Sequence, residues 1–312
     1  MTDTEPWQGI SRQSPLVQLI FTFVIVVLAG TIIFYIFLFI GTLISGRGFK
    51  ELATLYTSGG EFGSGAILRY IQVSVQVSMF LIPGLFIIRM LQRPGLPFLR
   101  LNISPDLPGI ILTIILAFAI LPVMNYTGFL NSKMALPSWL SGVESWIREK
   151  EDSASGIIDL LIISQGMFML VVNVLILAVI PAFSEELMFR GIVQRLLCRT
   201  LKSNHAGIIV ASVIFSSVHF QFYGFIPRFM LGLSFGYLFF WTRNIWYPVV
   251  AHFVYNAIPV VMYYFQEHVA VENESTDVSV NDPGVPWLYI GLSVMVFYYF
   301  WRRSRKSETA VV

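Results

Sequence analysis

The stretch PAFSEELMFRG, Pro181 to Gly191, closes an apolar run in which Leu160 to Ser184 holds no Asp, Glu, Lys or Arg. Glu185, Glu186 and Arg190 then arrive within six residues. Glu186 and Arg190 stand four apart, so they meet on one helix face with the acid first, the favoured order. Glu185 points about 100° away and has no charged partner at helical spacing. Two further apolar runs carry polar groups: FSSVH, Phe215 to His219, and HFVYN, His252 to Asn256. His252 and Asn256 project from one helix face, whereas His205 and His268 read as ordinary interfacial residues. A carboxylate in a low-dielectric pocket holds its proton more tightly, which suits a general base near neutral pH. A neutral histidine can orient the same water, and a second histidine with an amide can donate to a developing oxyanion. Those are the roles that water-driven amide hydrolysis needs.

Each group also has a plainer reading. A lone Glu at a helix end is ordinarily hydrated, and a lone intramembrane histidine is ordinarily an interhelical hydrogen bond worth about 1 kcal/mol. A charge at the centre of a membrane helix costs about 2.5–3.5 kcal/mol, so three must be paired, wet or near an interface. Two histidine-bearing helices beside an unpartnered Glu favour one polar cluster over three separate contacts.

The elements that position these groups are apolar. With 312 residues, a mean hydropathy of +0.73 and 12% charged residues, the chain reads as an all-α polytopic membrane protein. A net charge of +2 is too small to point to a nucleic-acid partner, and none is expected. One cysteine, Cys198, excludes an internal disulfide and a zinc–thiolate cluster. Runs near the roughly 20 residues that cross a bilayer begin near Pro15, Tyr70, Leu107, Ile157, Ala206, Tyr223, Asn244 and Pro283. About eight transmembrane helices are expected, with a catalytic core in the fourth to seventh. The sixth is the weakest, because Arg228 must snorkel or face a wet cavity. The N-terminus lacks the pattern of a cleaved signal peptide, so the first run reads as a retained span. Basic residues mark cytoplasmic loops: Arg89, Arg93 and Arg100, then Arg195, Arg199 and Lys202, then Arg302 to Lys306. Glu267, Glu272, Glu274, Asp277 and Asp282 fall on the other side. Both termini are thus expected in the cytoplasm, with the site open toward the cytoplasmic half. The first loop, with Arg47, Lys50 and Arg69, departs from the rule.

In order, EELMFR, FSSVH and HFVYN resemble the motifs of the CAAX protease and bacteriocin-processing family, CPBP or Abi. These are intramembrane endopeptidases related to the Ras-converting CAAX prenyl protease. The resemblance covers roughly residues 155 to 265. It implies Glu185 as the carboxylate that activates water, with His219 as its partner. His252 and Asn256 would stabilise the oxyanion, with Glu186, Arg190 and Phe215 in support. Residues 1–150 form N-terminal helices of unassigned role, 151–270 the catalytic core, and 271–312 the last helix and basic tail. The implied setting is a bacterial cytoplasmic membrane, and the implied partner a membrane-associated protein or peptide, CAAX-type and prenylated or not. The resemblance also extends the fourth helix through Leu197. Ile157 to Leu197 would then be about 60 Å of helix, which demands a break near Pro181 or a long protrusion.

Rival readings rest on the same residues. Glu185, His219 and His252 would make a His₂Glu zinc site with an open position, but Asn256 favours hydrogen bonding and a cofactor-free site. GLSFG, Gly232 to Gly236, reads Gly-x-Ser-x-Gly yet lies in an apolar run, where Gly-x-x-x-Gly suits close helix packing. TSGGEFGSG, Thr57 to Gly65, lacks the Gly-Lys-Ser/Thr ending of a phosphate loop. A non-catalytic transporter or immunity protein could use buried Glu, Arg and His as a proton relay, but the first half holds no counterpart of these motifs.

Overall fold

The computed structural model describes residues 8–58, 65–91, 101, 103–163, 166–269 and 284–309. Arg93, Arg100, Glu272, Glu274, Asp277, Asp282 and most of the Gly-rich stretch at 57–65 lie outside them. All regular structure among the described residues is helical. A helical turn, α1 (Gln8–Ser11), precedes α2 (Pro15–Ser45) and α3 (Phe49–Ser58). Then come α4 (Gly65–Leu91), α5 (Leu107–Ser132), α6 (Ser141–Ile162) and α7 (Met167–Thr200). The chain continues with α8 (Asn204–Ser217), α9 (Phe225–Thr242), α10 (Trp246–Val269) and α11 (Trp287–Thr309). Five of these, α2, α4, α5, α7 and α10, are long and apolar enough to cross a membrane. The chain is an all-α polytopic membrane protein.

Helix ends follow local chemistry. Ser14 caps α2 by accepting from Val17 N, and Gly46, at φ +69°, ends it. Asp106 caps α5 by accepting from Gly109 N at 2.9 Å, and Ser203 caps α8 through Ala206 N. The left-handed positions closing α7 and α9 fall to Lys202 and Arg243 rather than glycine.

The fourth membrane helix starts at Met167, not near Ile157. Gly166, at φ +89°, separates it from α6, and only glycine adopts that backbone freely. Most of α6 is amphipathic and carries Glu144, Arg148, Glu151 and their charged neighbours. Arg69 of α4 closes its end by donating to the carbonyls of Leu161 and Ile163 at 3.1 and 2.9 Å. Beyond Gly166, α7 runs unbroken for 34 residues, about 51 Å. Pro181 does not break it. A proline removes one N–H and crowds the carbonyl four residues back, here that of Leu177. A wide π-type turn at Leu175–Val179 absorbs this crowding, and Asn256 Nδ2 donates to the displaced Leu177 carbonyl at 3.3 Å. In α4 the same arrangement recurs, with a wide turn at Val77–Leu81 before Pro83. A third wide turn, Phe189–Val193, holds Arg190.

Helices α7, α8 and α9 form an antiparallel trio with small residues at their contacts. A side chain on Gly207 would strike Cys198. One on Gly232 would meet Ser212 at 2.9–3.1 Å, and one on Gly236 would meet Ile208 at 2.8 Å. The GLSFG motif is therefore a packing seam, and Ser234 hydrogen-bonds the Met230 carbonyl of its own helix. Two buried clusters flank the trio. One joins Leu116, Ile120, Phe235, Ala251 and Phe300 across α5, α9, α10 and α11. The other joins Ile87, Met188, Ile192 and Phe215 across α4, α7 and α8.

Candidate active site

Between these two clusters lies a buried polar set. Glu186 and Arg190 face each other on α7, with Oε2 2.9 Å from Nε and neither side chain exposed. The approach is an ion pair at an angle that makes no hydrogen bond, and the guanidinium nitrogens find no acceptor. Instead the guanidinium lies over the Phe215 ring, 5.2 Å from its centre. The other carboxylate oxygen of Glu186 accepts from His252 Nδ1 at 3.0 Å. A carboxylate only accepts, so Nδ1 carries a proton. The opposite ring nitrogen, Nε2, then faces Glu185 Oε2 at 4.0 Å, beyond hydrogen-bond reach. His252 thus stands between the two adjacent carboxylates. Phe235 stacks on its ring at 5.3 Å, and the Phe215 ring meets it edge-on at 6.2 Å.

Glu185 draws its partner from outside the motifs. Gln76 Nε2, on α4, donates to Glu185 Oε1 at 2.9 Å, while Ser184 Oγ donates to Gln76 Oε1 at 3.1 Å. The bond crosses 109 residues of sequence and ties the first 150 residues to the site. Gln76 is the last residue before the wide turn of α4, as Asn256 serves the wide turn of α7.

His219 lies in the turn just past the end of α8, not within the helix. Its Nδ1 bonds the Phe215 carbonyl at 2.8 Å. A carbonyl only accepts, so in the neutral ring Nε2 keeps its lone pair. From Glu185 to Thr200, and from Asn204 to His219, is about 22 Å in each case at helical rise. The antiparallel pair therefore brings the two residues to one level, which removes the offset that the sequence left open. The turn from 218 to 224 is held from outside. Asn131 Nδ2 donates to Phe222 O at 3.2 Å, and Glu151 accepts from Tyr223 N at 2.7 Å. This turn adjoins α6, at the end of α8 remote from Arg199 and Lys202. Arg228, flagged in the sequence as needing water or a snorkel, donates to Gln221 and lies within electrostatic reach of Glu151, Tyr255 and Glu185.

Phe215 joins the parts, since its ring touches those of Phe189, His219 and His252 as well as Arg190. Asn256 is one turn further along α10, with its amide committed to Leu177. The structure therefore brings Glu185, Glu186, Arg190, Phe215 and His252 into direct contact, and links His219 to them through Phe215. Gln76 and Ser184 were missed. A single Gln in an apolar helix carries no local signal beyond the cost of burying an amide.

Residues 167–258 match the family described as Type II CAAX prenyl endopeptidase Rce1-like. The likeness to that family is confined to this segment. It begins where α7 begins and contains every motif residue from Glu185 to Asn256. Two curated proteins of Bacillus subtilis (strain 168) are similar to this chain. "Uncharacterized protein YpbD" is 29% identical over 118 residues, which is 36% of this chain and 57% of YpbD. "Putative membrane peptidase YdiL" is 28% identical over 107 residues, 34% of this chain and 43% of YdiL. The chain spans about half the length of these relatives. No solved structure matches it. Gln76, the partner of Glu185, lies outside the matched segment.

Proposed function

We propose that the protein is a membrane-embedded endopeptidase that hydrolyses a peptide bond with water activated by Glu185. The observation that carries this reading is the pose of Glu185. One carboxylate oxygen is fixed by Gln76, and the other stays uncommitted 4.0 Å from His252 Nε2. In the proposed step, Glu185 takes a proton from water as the water oxygen bonds to the scissile carbonyl carbon. His219 Nε2, left with its lone pair, orients that water. His252, protonated on both ring nitrogens, donates to the oxyanion from Nε2, Asn256 donates its second amide hydrogen, and Glu186 supplies the counter-charge to the imidazolium. The Glu185 proton then passes to the leaving nitrogen as the C–N bond breaks, giving an amine and a carboxylic acid that ionises in water. By analogy with the family and with the name of YdiL, the substrate is a membrane-associated peptide or protein.

Among the described residues no three His, Cys, Asp or Glu side chains group closely enough to hold a metal, so this reading uses hydrogen bonds and water alone. No step is derived through a metal. The test is a comparison of protein termini in cells carrying the native protein or Glu185→Gln. The reading expects a small set of new termini in membrane proteins that vanish in the variant. Identical termini in both would remove it.

A further inference from the structure

At the basic end of the molecule, away from the polar set, the turns after α7 and α9 enclose a cavity of 480 Å³. Among the described residues its lining includes Arg195, Arg199, Arg243, Asn204, Phe239 and Phe240, and no carboxylate. We propose that this cavity binds a phosphate-bearing anion, and that the anion is the headgroup of an acidic phospholipid in the adjoining leaflet.

Arg195 and Arg199 are four apart on α7, so both side chains lie on the same face of the helix and reach the cavity. The chain then adds a third guanidinium by closing α9 with Arg243 in a left-handed conformation, φ +54°. Aromatic faces set the orientation of two of the three. The Arg195 guanidinium lies over the Phe239 ring and that of Arg243 over Phe240, each 5.2 Å from the ring centre. Guanidinium forks so oriented suit the oxygens of a phosphate, which they can grip two at a time. The first turn of α8, opening at Asn204, adds its positive dipole end to the same cavity. An anion at the centre converts this crowding into attraction.

Two observations favour a lipid over a soluble anion. This is the end of the chain that carries the exposed Arg302 and Arg303, since Asp106 pairs with Arg303 and Asn244 bonds the Ile103 carbonyl. Basic pockets between membrane helices at such a surface are where acidic headgroups bind. Exposed apolar side chains also continue from the same turn down α8, at Leu201, Ile209, Val210 and Val213. A headgroup held by the arginines would leave its acyl chains along that surface. The polar set around Glu185 plays no part, so the inference stands apart from the proposed protease activity.

The experiment uses the full chain in phosphatidylcholine nanodiscs, with phosphatidylglycerol or inorganic phosphate added, read by thermal melting and by native mass spectrometry. Phosphatidylglycerol should raise the melting temperature and remain bound in the spectrometer. Arg199→Gln, an exposed position, should weaken that binding roughly fivefold, and the triple variant with Arg195→Gln and Arg243→Gln by roughly fivefold per arginine. Arg302→Gln, at the same end but outside the cavity, should change it little. Equal binding by the native chain and Arg199→Gln, or equal loss from Arg302→Gln, would overturn the site. Protection by inorganic phosphate equal to that by the lipid would overturn the lipid source and assign the cavity to a soluble phosphate.

Discussion

Of the carboxylate–guanidinium pairs among the described residues, Asp106–Arg303 and Glu186–Arg190 behave differently because of where they sit. At the basic end, Asp106 pairs with Arg303 at 2.7 Å, with side chains 36% and 49% exposed. Gly109 N and the Tyr247 hydroxyl donate to the same carboxylate. The Arg303 guanidinium, with the Tyr247 hydroxyl, holds the Asp106 carboxyl well below the usual carboxylate range. Every acceptor there is matched, and the result is a clamp between α5, α10 and α11. In the interior, Glu186 and Arg190 are fully buried, yet the guanidinium lacks hydrogen-bond acceptors. The neighbouring Glu185 keeps one oxygen uncommitted. Buried polar groups left incompletely matched are expensive. The outer pair is a saturated structural contact, whereas the base proposed for the inner one keeps an acceptor for water.

The contrast can be broken by substitution, and the inner network should give the largest effect. On a substrate identified from cell termini, Glu185→Gln should lower kcat by about 10²–10⁴-fold, the usual contribution of a general base. Its melting curve should stay close to native. A folded Glu185→Gln protein that cleaves at the native rate, beside a folded and inactive Glu186→Gln, would reverse the assignment of the two carboxylates. Glu186→Gln should act mainly on stability, since breaking a buried pair costs about 3–5 kcal/mol. Adding Arg190→Gln should restore part of that loss, because no unpaired charge then remains. Thermal melts of both variants in detergent check this, and a double variant less stable than the single would refute it.

Gln76→Leu tests the link between the halves. Removing a donor to a charged acceptor is worth about 1.5–3 kcal/mol, so kcat should fall roughly 10–100-fold with KM little changed. A rise in KM alone would mean that Gln76 contacts substrate rather than positioning Glu185. The outer clamp should give the smallest effect. Its partners are more than one-third exposed, so screening holds the loss from Asp106→Asn to about 1 kcal/mol or less. The sign with pH follows from the direction of the shift. A depressed carboxylate stabilises the fold above its unfolded pKa of about 3.9 and loses that contribution as pH falls through its lower folded value. Native and Asp106→Asn proteins should therefore differ at neutral pH and converge in strong acid. A difference that grows on acidification would contradict the clamp.

Much of the site was legible because its chemistry is written at helical spacing. Glu186 and Arg190 at four apart, and His252 and Asn256 at four apart, need only the helix period to be placed on shared faces. The assignment of GLSFG to packing needed only the apolar run around it. What the sequence hid depends on contacts across the fold. Gln76 meets Glu185 through tertiary packing, and nothing near it in sequence says so. The start of α7 turned on one left-handed glycine within a run whose composition is apolar on both sides. Pro181 suggested a break because proline usually makes one, whereas a widened turn and the Asn256 amide relieve the strain. Asn256 therefore has a structural bond that its spacing could not reveal.

The wide turns of α7 have a further meaning for how such a site can change. Each is in effect one extra residue in a helix, and one residue corresponds to about 100° of rotation. Leu175–Val179 and Phe189–Val193 bracket the nine residues Ile180–Met188, which include Glu185 and Glu186. A one-residue deletion in either turn, the smallest in-frame change a gene can suffer, would swing one flank of the helix against the other. Paired changes in both would re-aim the carboxylates while returning the helix ends to their seats. The two wide turns thus set the angle at which both acids project from the helix.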